Sequence, residues 1–312
     1  MTALQVAMEF AVFVFLGILI VRIRLVQPVF RSQLAKFVMN VALPCMIARS
    51  LYSQSAQSAG LWRIPLAAVA AVALLLMGGQ LVYLLLGRGD LAKTARFSMV
   101  FGNFTFMGFP VVESLYGQTG LFAFTLFTLP IRLVFYASPG FLLAPTAGGR
   151  PKSDWRSLIK QLLSPPTLAV FVGLALYFTH LTPPPFLDSA VKGLGGTASV
   201  LGMLLVGMGM ADATPKSLWR RRRAFWAVAG RAVLSPLLML VLMLVFPLEA
   251  ETRQALFLYG AVPVPSLLTT FSVSLGRSDE ACQDASAAVL ASTLLSVLTL
   301  PLWAAVARRL LT

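Results

Sequence analysis

The sequence predicts an all-α membrane protein of ten spanning helices, arranged as two inverted repeats of five. Three observations carry that expectation. Apolar types make up 58% of the 312 residues and charged types only 12%, with a mean hydropathy of +0.84. A soluble domain carries about 25% charged residues because its surface must be wetted, and this chain lacks the polar material for that. Polar breaks also cut the chain into ten apolar stretches, each near the length that crosses a hydrocarbon core. Finally, the stretches recur in the same order at an offset of about 155 residues, the signature of an internal repeat.

The stretches run over 4–21, 34–52, 62–87, 94–116, 120–145, 161–180, 187–211, 224–247, 252–275 and 283–307. The first has no basic n-region and no small-residue cleavage site, so it reads as a retained span and not a signal peptide. The expected units are a five-helix repeat over 1–145, a cytoplasmic linker over 146–160 and an inverted five-helix repeat over 161–312. An odd number of spans per half turns the second half upside down relative to the first.

Lysine and arginine set the orientation. One side collects Arg22, Arg24, Arg31 and Lys36, then Arg88, Lys93 and Arg96, then Arg150, Lys152, Arg156 and Lys160. Lys216, the run Arg220 to Arg223 and Arg277 fall on that side too. The other side has only Arg49, Arg63, Lys192, Arg253, Arg308 and Arg309. Seventeen against six puts both termini outside the cytoplasm, although Arg308 and Arg309 pull the other way. The net charge of +14 is then a topology signal and implies no nucleic-acid partner. The run Arg220 to Arg223 suits anionic lipid heads.

Two stretches are interrupted at corresponding places. The fourth reads Gly102-Asn103-Phe104-Thr105-Phe106-Met107-Gly108-Phe109-Pro110, and the ninth Gly260-Ala261-Val262-Pro263-Val264-Pro265-Ser266. Proline has no N–H and clashes with the carbonyl four residues back, so the helix unwinds or kinks there. Backbone unwound at bilayer depth needs protein or a watery cavity around it, and paired breaks in two halves point to a binding site. The half-helix after each break directs its N–H groups into the gap, which favours an anion. Asn103, Gly108, Pro110, Pro263, Pro265 and Ser266 are the binding-site candidates this yields. Pro44, Pro130, Pro139 and Pro236 read as ordinary kinks.

The stretch Asn103-x-x-x-x-Gly108-x-Pro110, continued by Leu115-Tyr116-Gly117, resembles the span-four signature of the auxin efflux carrier family. Pro263 with Pro265, Ser292-Thr293-Leu294-Leu295-Ser296, Thr299-Leu300-Pro301-Leu302 and the stretch Asn40 to Pro44 are similar to the family's pattern as well. The resemblance implies a ten-helix inverted-repeat fold like that of bile-acid symporters and sodium/proton antiporters. Helices one, two, six and seven would form a scaffold, and the rest a transport unit in which broken helices four and nine cross. It also implies an organic-anion cargo such as auxin, malonate or malate, and related carriers point to a homodimer. Thr105 stands where the family pattern has glycine, and the short loop after span five resembles a bacterial member of the inner membrane.

Asn103 can hold a carboxylate or satisfy carbonyls freed by the break. Arg132 sits halfway along span five on a polar stripe with Thr125, Thr128 and Tyr136, where a charge is a functional hypothesis by default. It is either a counter-charge for an anion or a tie for broken-helix carbonyls. Glu113 lies too far from it in depth, about 10 Å at 1.5 Å rise per residue, for a direct pair. Arg231 is too deep to snorkel and faces protein. Asn40, Pro44, Glu113, Thr128, Arg231 and Ser296 are expected to support the site. The hydroxyls of Ser266, Thr269, Thr270 and Ser274, and of Ser292, Ser296 and Thr299, have a spacing that more often bonds helix to helix. His180, Cys45 and Cys282 are assigned no role.

No phosphate-cradling glycine motif, metal-ligand cluster or carboxylate pair marks an enzyme, and no cofactor or metal is expected. The reading is a secondary carrier for a small organic anion, working by alternating access. An anion channel or a ligand-binding membrane receptor is the alternative. With Glu113 alone near the breaks, proton coupling or none fits better than sodium.

Overall fold

The computed structural model describes residues 3–54, 60–144, 159, 163–211, 221 and 224–312. Every regular element among them is a helix. Six segments are long and apolar enough to cross a membrane: Pro28–Tyr52, Arg63–Leu85, Asp90–Ala137, Pro185–Met210, Phe225–Val245 and Asp279–Leu310. Pro165–Thr179 is a shorter apolar helix, and Ala3–Arg22 has 20 residues. Most of the expected linker, and Lys216, Arg220, Arg222 and Arg223, lie outside the described residues.

We label the helices α1 (Ala3–Arg22), α2 (Pro28–Tyr52), α3 (Arg63–Leu85), α4 (Asp90–Val100), α5 (Phe109–Ala137) and α6 (Pro165–Thr179). They continue as α7 (Pro185–Met210), α8 (Phe225–Val245), α9 (Ala250–Ala261), α10 (Leu267–Ser274) and α11 (Asp279–Leu310). The expected fourth and fifth stretches meet inside α5 at Gly117, whose φ of 58° and ψ of −152° turn the chain. That left-handed φ is open to glycine without steric cost.

Three wide helical turns each end two residues before a proline. They are Val38–Ala42 before Pro44, Phe104–Gly108 before Pro110, and Gly230–Leu234 before Pro236. Widening the turn carries the chain past the carbonyl that the proline ring would strike. In α8 the carbonyl freed by Pro236 is that of Ala232, and Trp303 Nε1 donates to it at 2.8 Å. Pro44 and Pro236 thus reshape a whole turn, beyond the simple kinks the sequence suggested.

Particular helix pairs pack closely. α1 lies along α7, and the second half of α2 lies against α6 and α7. α3 packs on α4 and α5, α8 on α9, and α9 and α10 on α11. Between α1 and α7 the backbones touch: a Cβ on Gly17 would stand 2.9 Å from Met208 N and 3.0 Å from Gly207 Cα. Close approach through small residues is the main source of helix association where no hydrophobic drive exists.

Side chains tie the loops at each end. Arg277, before α11, donates to the Asp90 carbonyl at 2.7 Å and to Thr94 Oγ1 at 3.1 Å. At the other end Arg63 donates to the Pro247 carbonyl at 3.3 Å, and Arg253 to that of Thr312 at 3.2 Å.

Candidate functional site

α4 stops at Val100 and α9 at Ala261, and both chains then run extended, with φ/ψ of −109°/133° at Phe101 and −67°/148° at Val262. The two extended stretches meet. Asn103 N donates to the Pro263 carbonyl at 2.7 Å, and Val264 N donates to Ser292 Oγ of α11 at 3.1 Å.

Each break orphans carbonyls that a continuous helix would have paired four residues on, and all must find donors when buried. Met99 O loses Asn103 N, which has turned to Pro263. Tyr259 O faces Pro263, which has no N–H. Val262 O loses the N–H of Ser266. One side chain serves all three. From the wide turn of α8, Arg231 donates through Nε to Val262 O at 2.7 Å, through Nη1 to Met99 O at 3.3 Å, and through Nη2 to Tyr259 O. Nη1 also reaches Ser235 Oγ at 3.1 Å. Arg231 is 1% exposed. The phenol of Tyr259 covers the next orphan, donating to Val100 O at 3.0 Å.

Asn103 is the N-cap of the wide turn that follows: its Oδ1 accepts from Phe106 N at 3.3 Å. With the oxygen so used, the amide's two N–H donors are what it offers elsewhere. It borders a cavity of about 450 Å³, within the range that holds small molecules. Phe106 shares that border with Ser266 and Thr269 at the start of α10 and Ser286 and Thr293 on α11. Arg31 of α2 and Met210 of α7 line it as well.

The other candidates fall around this site. Pro263 and Pro265 are buried at the meeting point, and Ser266 is exposed toward the cavity. Gly108 packs under Phe124, where a Cβ would stand 3.0 Å from Cζ, and Pro110 lies on Gly202 of α7. Glu113 accepts from Gln118 Nε2 at 3.1 Å and from Ser199 Oγ of α7. Thr128 Oγ1 donates to its own helix at Phe124 O, 2.9 Å, and Ser296 Oγ to Thr293 O, 2.7 Å. Asn40 is exposed in the wide turn of α2, and neither it nor Pro44 borders the cavity. Arg132 is 4% exposed, donates to Thr167 Oγ1 of α6 at 3.3 Å, and lies 5.6 Å from the centroid of the Phe104 ring. It is not among the cavity residues. The carbonyl-tying task that the sequence left open for Arg132 is carried at both breaks by Arg231. Among the described residues no three His, Cys, Asp or Glu side chains are placed to share a metal ion.

The family described as membrane transport protein matches residues 5–304. The chain belongs to this family, the auxin efflux carriers. An uncharacterized transporter of Methanothermobacter thermautotrophicus (strain Delta H) is 26% identical to it over 289 residues, 88% of each chain. The protein is therefore a multi-pass member of a membrane transporter family.

Several residues that build or brace this transporter's site carry little signal in the sequence. Tyr259 directly precedes the quoted break, and its hydroxyl was the available signal. Arg31, Lys93 and Arg96 counted only as loop charges. Yet Lys93 Nζ donates to Ala144 O at 2.6 Å and Arg96 to Leu142 O at 2.7 Å, so both tie down the chain after α5. Arg221, the described member of the basic run, bonds Gln283 and lies 3.4 Å from both Glu280 and Asp284.

Proposed function

We propose that this transporter is a secondary carrier that moves a small organic anion, a carboxylate such as malonate, malate or an auxin-like acid, across the inner membrane. The observation that carries the reading is Asn103: its oxygen caps the turn that follows, the residue borders a cavity at the meeting of two broken helices, and its N–H donors are left for a ligand there. Ser266, at the start of α10, adds a hydroxyl and the N-terminal end of that helix from the second break. Among the described residues no carboxylate lines the cavity, and donors so placed suit an anion.

The reading takes ten spans in two inverted repeats, with α1, α2, α6 and α7 as scaffold and the other helices as the transport unit. By the lysine and arginine count the cavity opens to the cytoplasm and both termini lie outside. Pro110 against Gly202 and Glu113 against Ser199 would close the opposite side, and alternating access would open these contacts in turn. Glu113, the carboxyl group near the breaks among the described residues, favours proton coupling or none. Arg132 would hold α5 to α6.

A thermal-shift screen of the purified protein tests the reading, since a ligand that binds the folded state stabilises it by about 2.7 kcal/mol at 100 times its Kd. Carboxylates should raise the melting temperature, and amides of the same shape should do so far less. Equal shifts from acids and amides, or none from any carboxylate, would overturn it.

A further inference from the structure

We infer that Arg231 is the fixed positive charge that makes the crossing select anions, a role that rests on the proposed carboxylate site and explains its specificity. The guanidinium touches three carbonyls, the Ser235 hydroxyl and the Tyr259 ring, the last with its centroid 5.4 Å away. Every one of these partners is neutral. These carbonyls close the C-terminal ends of α4 and α9, whose dipoles balance part of the charge, but among the described residues no carboxylate pairs with it. Holding such a charge away from water is costly unless something balances it. A substrate carboxylate can.

The geometry places the charge close behind the site. A Cβ built on Gly102 would stand 2.6 Å from Val262 Cγ2, 2.9 Å from Arg231 Cζ and closer still to Nη2. Only a glycine lets the guanidinium lie against the backbone there. The next residue is Asn103, whose amide borders the cavity. Gly102 thus joins the charge to the residue on the cavity wall. For an anion held about 8 Å away at an effective dielectric near 20, a unit charge changes affinity by about 30-fold. Arg231 is on this account a positioning residue for the crossing and the source of its potential at once.

The two roles separate by experiment. The readout is the ratio of Kd values for a neutral amide and its parent acid (malonamide and malonate, and the corresponding malate and indole-3-acetate pairs), measured per folded molecule. A purely structural arginine would change both affinities together and leave the ratio alone. Arg231→Lys keeps the charge, so the ratio should stay within about threefold of wild type even where stability falls. Arg231→Gln should lower it by about 30-fold. Should that variant fail to fold, Ser235→Asp keeps the arginine and its carbonyl bonds while placing a carboxylate against Nη1, and it should lower the ratio comparably. An unchanged ratio in Ser235→Asp or Arg231→Gln overturns the inference while leaving the carboxylate site standing. Absence of acid binding in the wild type would instead remove the site itself.

Discussion

Replacing Asn103 by aspartate splits the two uses of this side chain. Aspartate has nearly the same shape and keeps an oxygen for Phe106 N, which Asn103 Oδ1 now accepts at 3.3 Å, so the cap survives. Folded stability should then stay within about 1 kcal/mol of wild type, the usual scale of a cap. The N–H donors disappear. A hydrogen bond to a charged group is worth about 1.5–3 kcal/mol. The new carboxylate also repels the substrate's, by about 3–4 kcal/mol at 4–5 Å and an effective dielectric near 20. Together these come to on the order of 5 kcal/mol, more than a 1,000-fold loss of carboxylate affinity. Asn103→Ala loses the cap as well but adds no repulsion, so it should melt lower and bind only about 10- to 100-fold more weakly. Melting curves and ligand titrations on the purified variants supply both numbers. Carboxylate affinity within threefold of wild type for Asn103→Asp would refute the assignment of the amide donors to the substrate.

Further outcomes follow from the surrounding contacts. Replacing Pro263 and Pro265 together with alanine should leave insertion intact, because alanine suits a helix better by about 3 kcal/mol per residue. Transport should fall as α9 and α10 regularise, and wild-type rates would remove the break from the mechanism. Arg132→Gln should lower the melting temperature through the lost Thr167 contact, while the surviving folded protein keeps its substrate affinity; an affinity loss per folded molecule would return Arg132 to the site. Ser199→Ala removes a hydrogen bond to Glu113, worth about 0.5–1.5 kcal/mol, and should weaken closure on that side. A cysteine placed at Ser286 in the cavity should then label more slowly from the cytoplasmic face, and an unchanged rate would contradict the latch.

Much of the layout was legible because the bilayer imposes it. Apolar stretches, their lengths and the prolines in two of them are written in composition and spacing; the breaks mark Ser266 and the paired prolines, and the family resemblance adds Asn103 as a substrate contact. What remained hidden depends on partners distant in sequence. Arg231 and the breaks it serves are separated by 132 residues at Met99 and 31 at Val262, and nothing local to Arg231 says which carbonyls it reaches. Arg132, equally deep, offered the same sequence signal and meets a hydroxyl and a ring instead. Glu113 likewise gave no hint of Ser199, 86 residues away. The wide turns at Pro44 and Pro236 differ from kinks by one residue of register, which hydrophobic periodicity does not resolve.

The central claim is that a small carboxylate is carried through the crossing by alternation between two faces. Counterflow in proteoliposomes tests it most directly: labelled malonate, malate or indole-3-acetate outside, the same unlabelled acid inside. Saturable uptake, accelerated by the internal acid and abolished by Asn103→Asp, is the predicted result. Uptake that rises linearly with concentration and ignores the internal acid would mark a channel, and binding without any flux would mark a receptor; either contradicts the account.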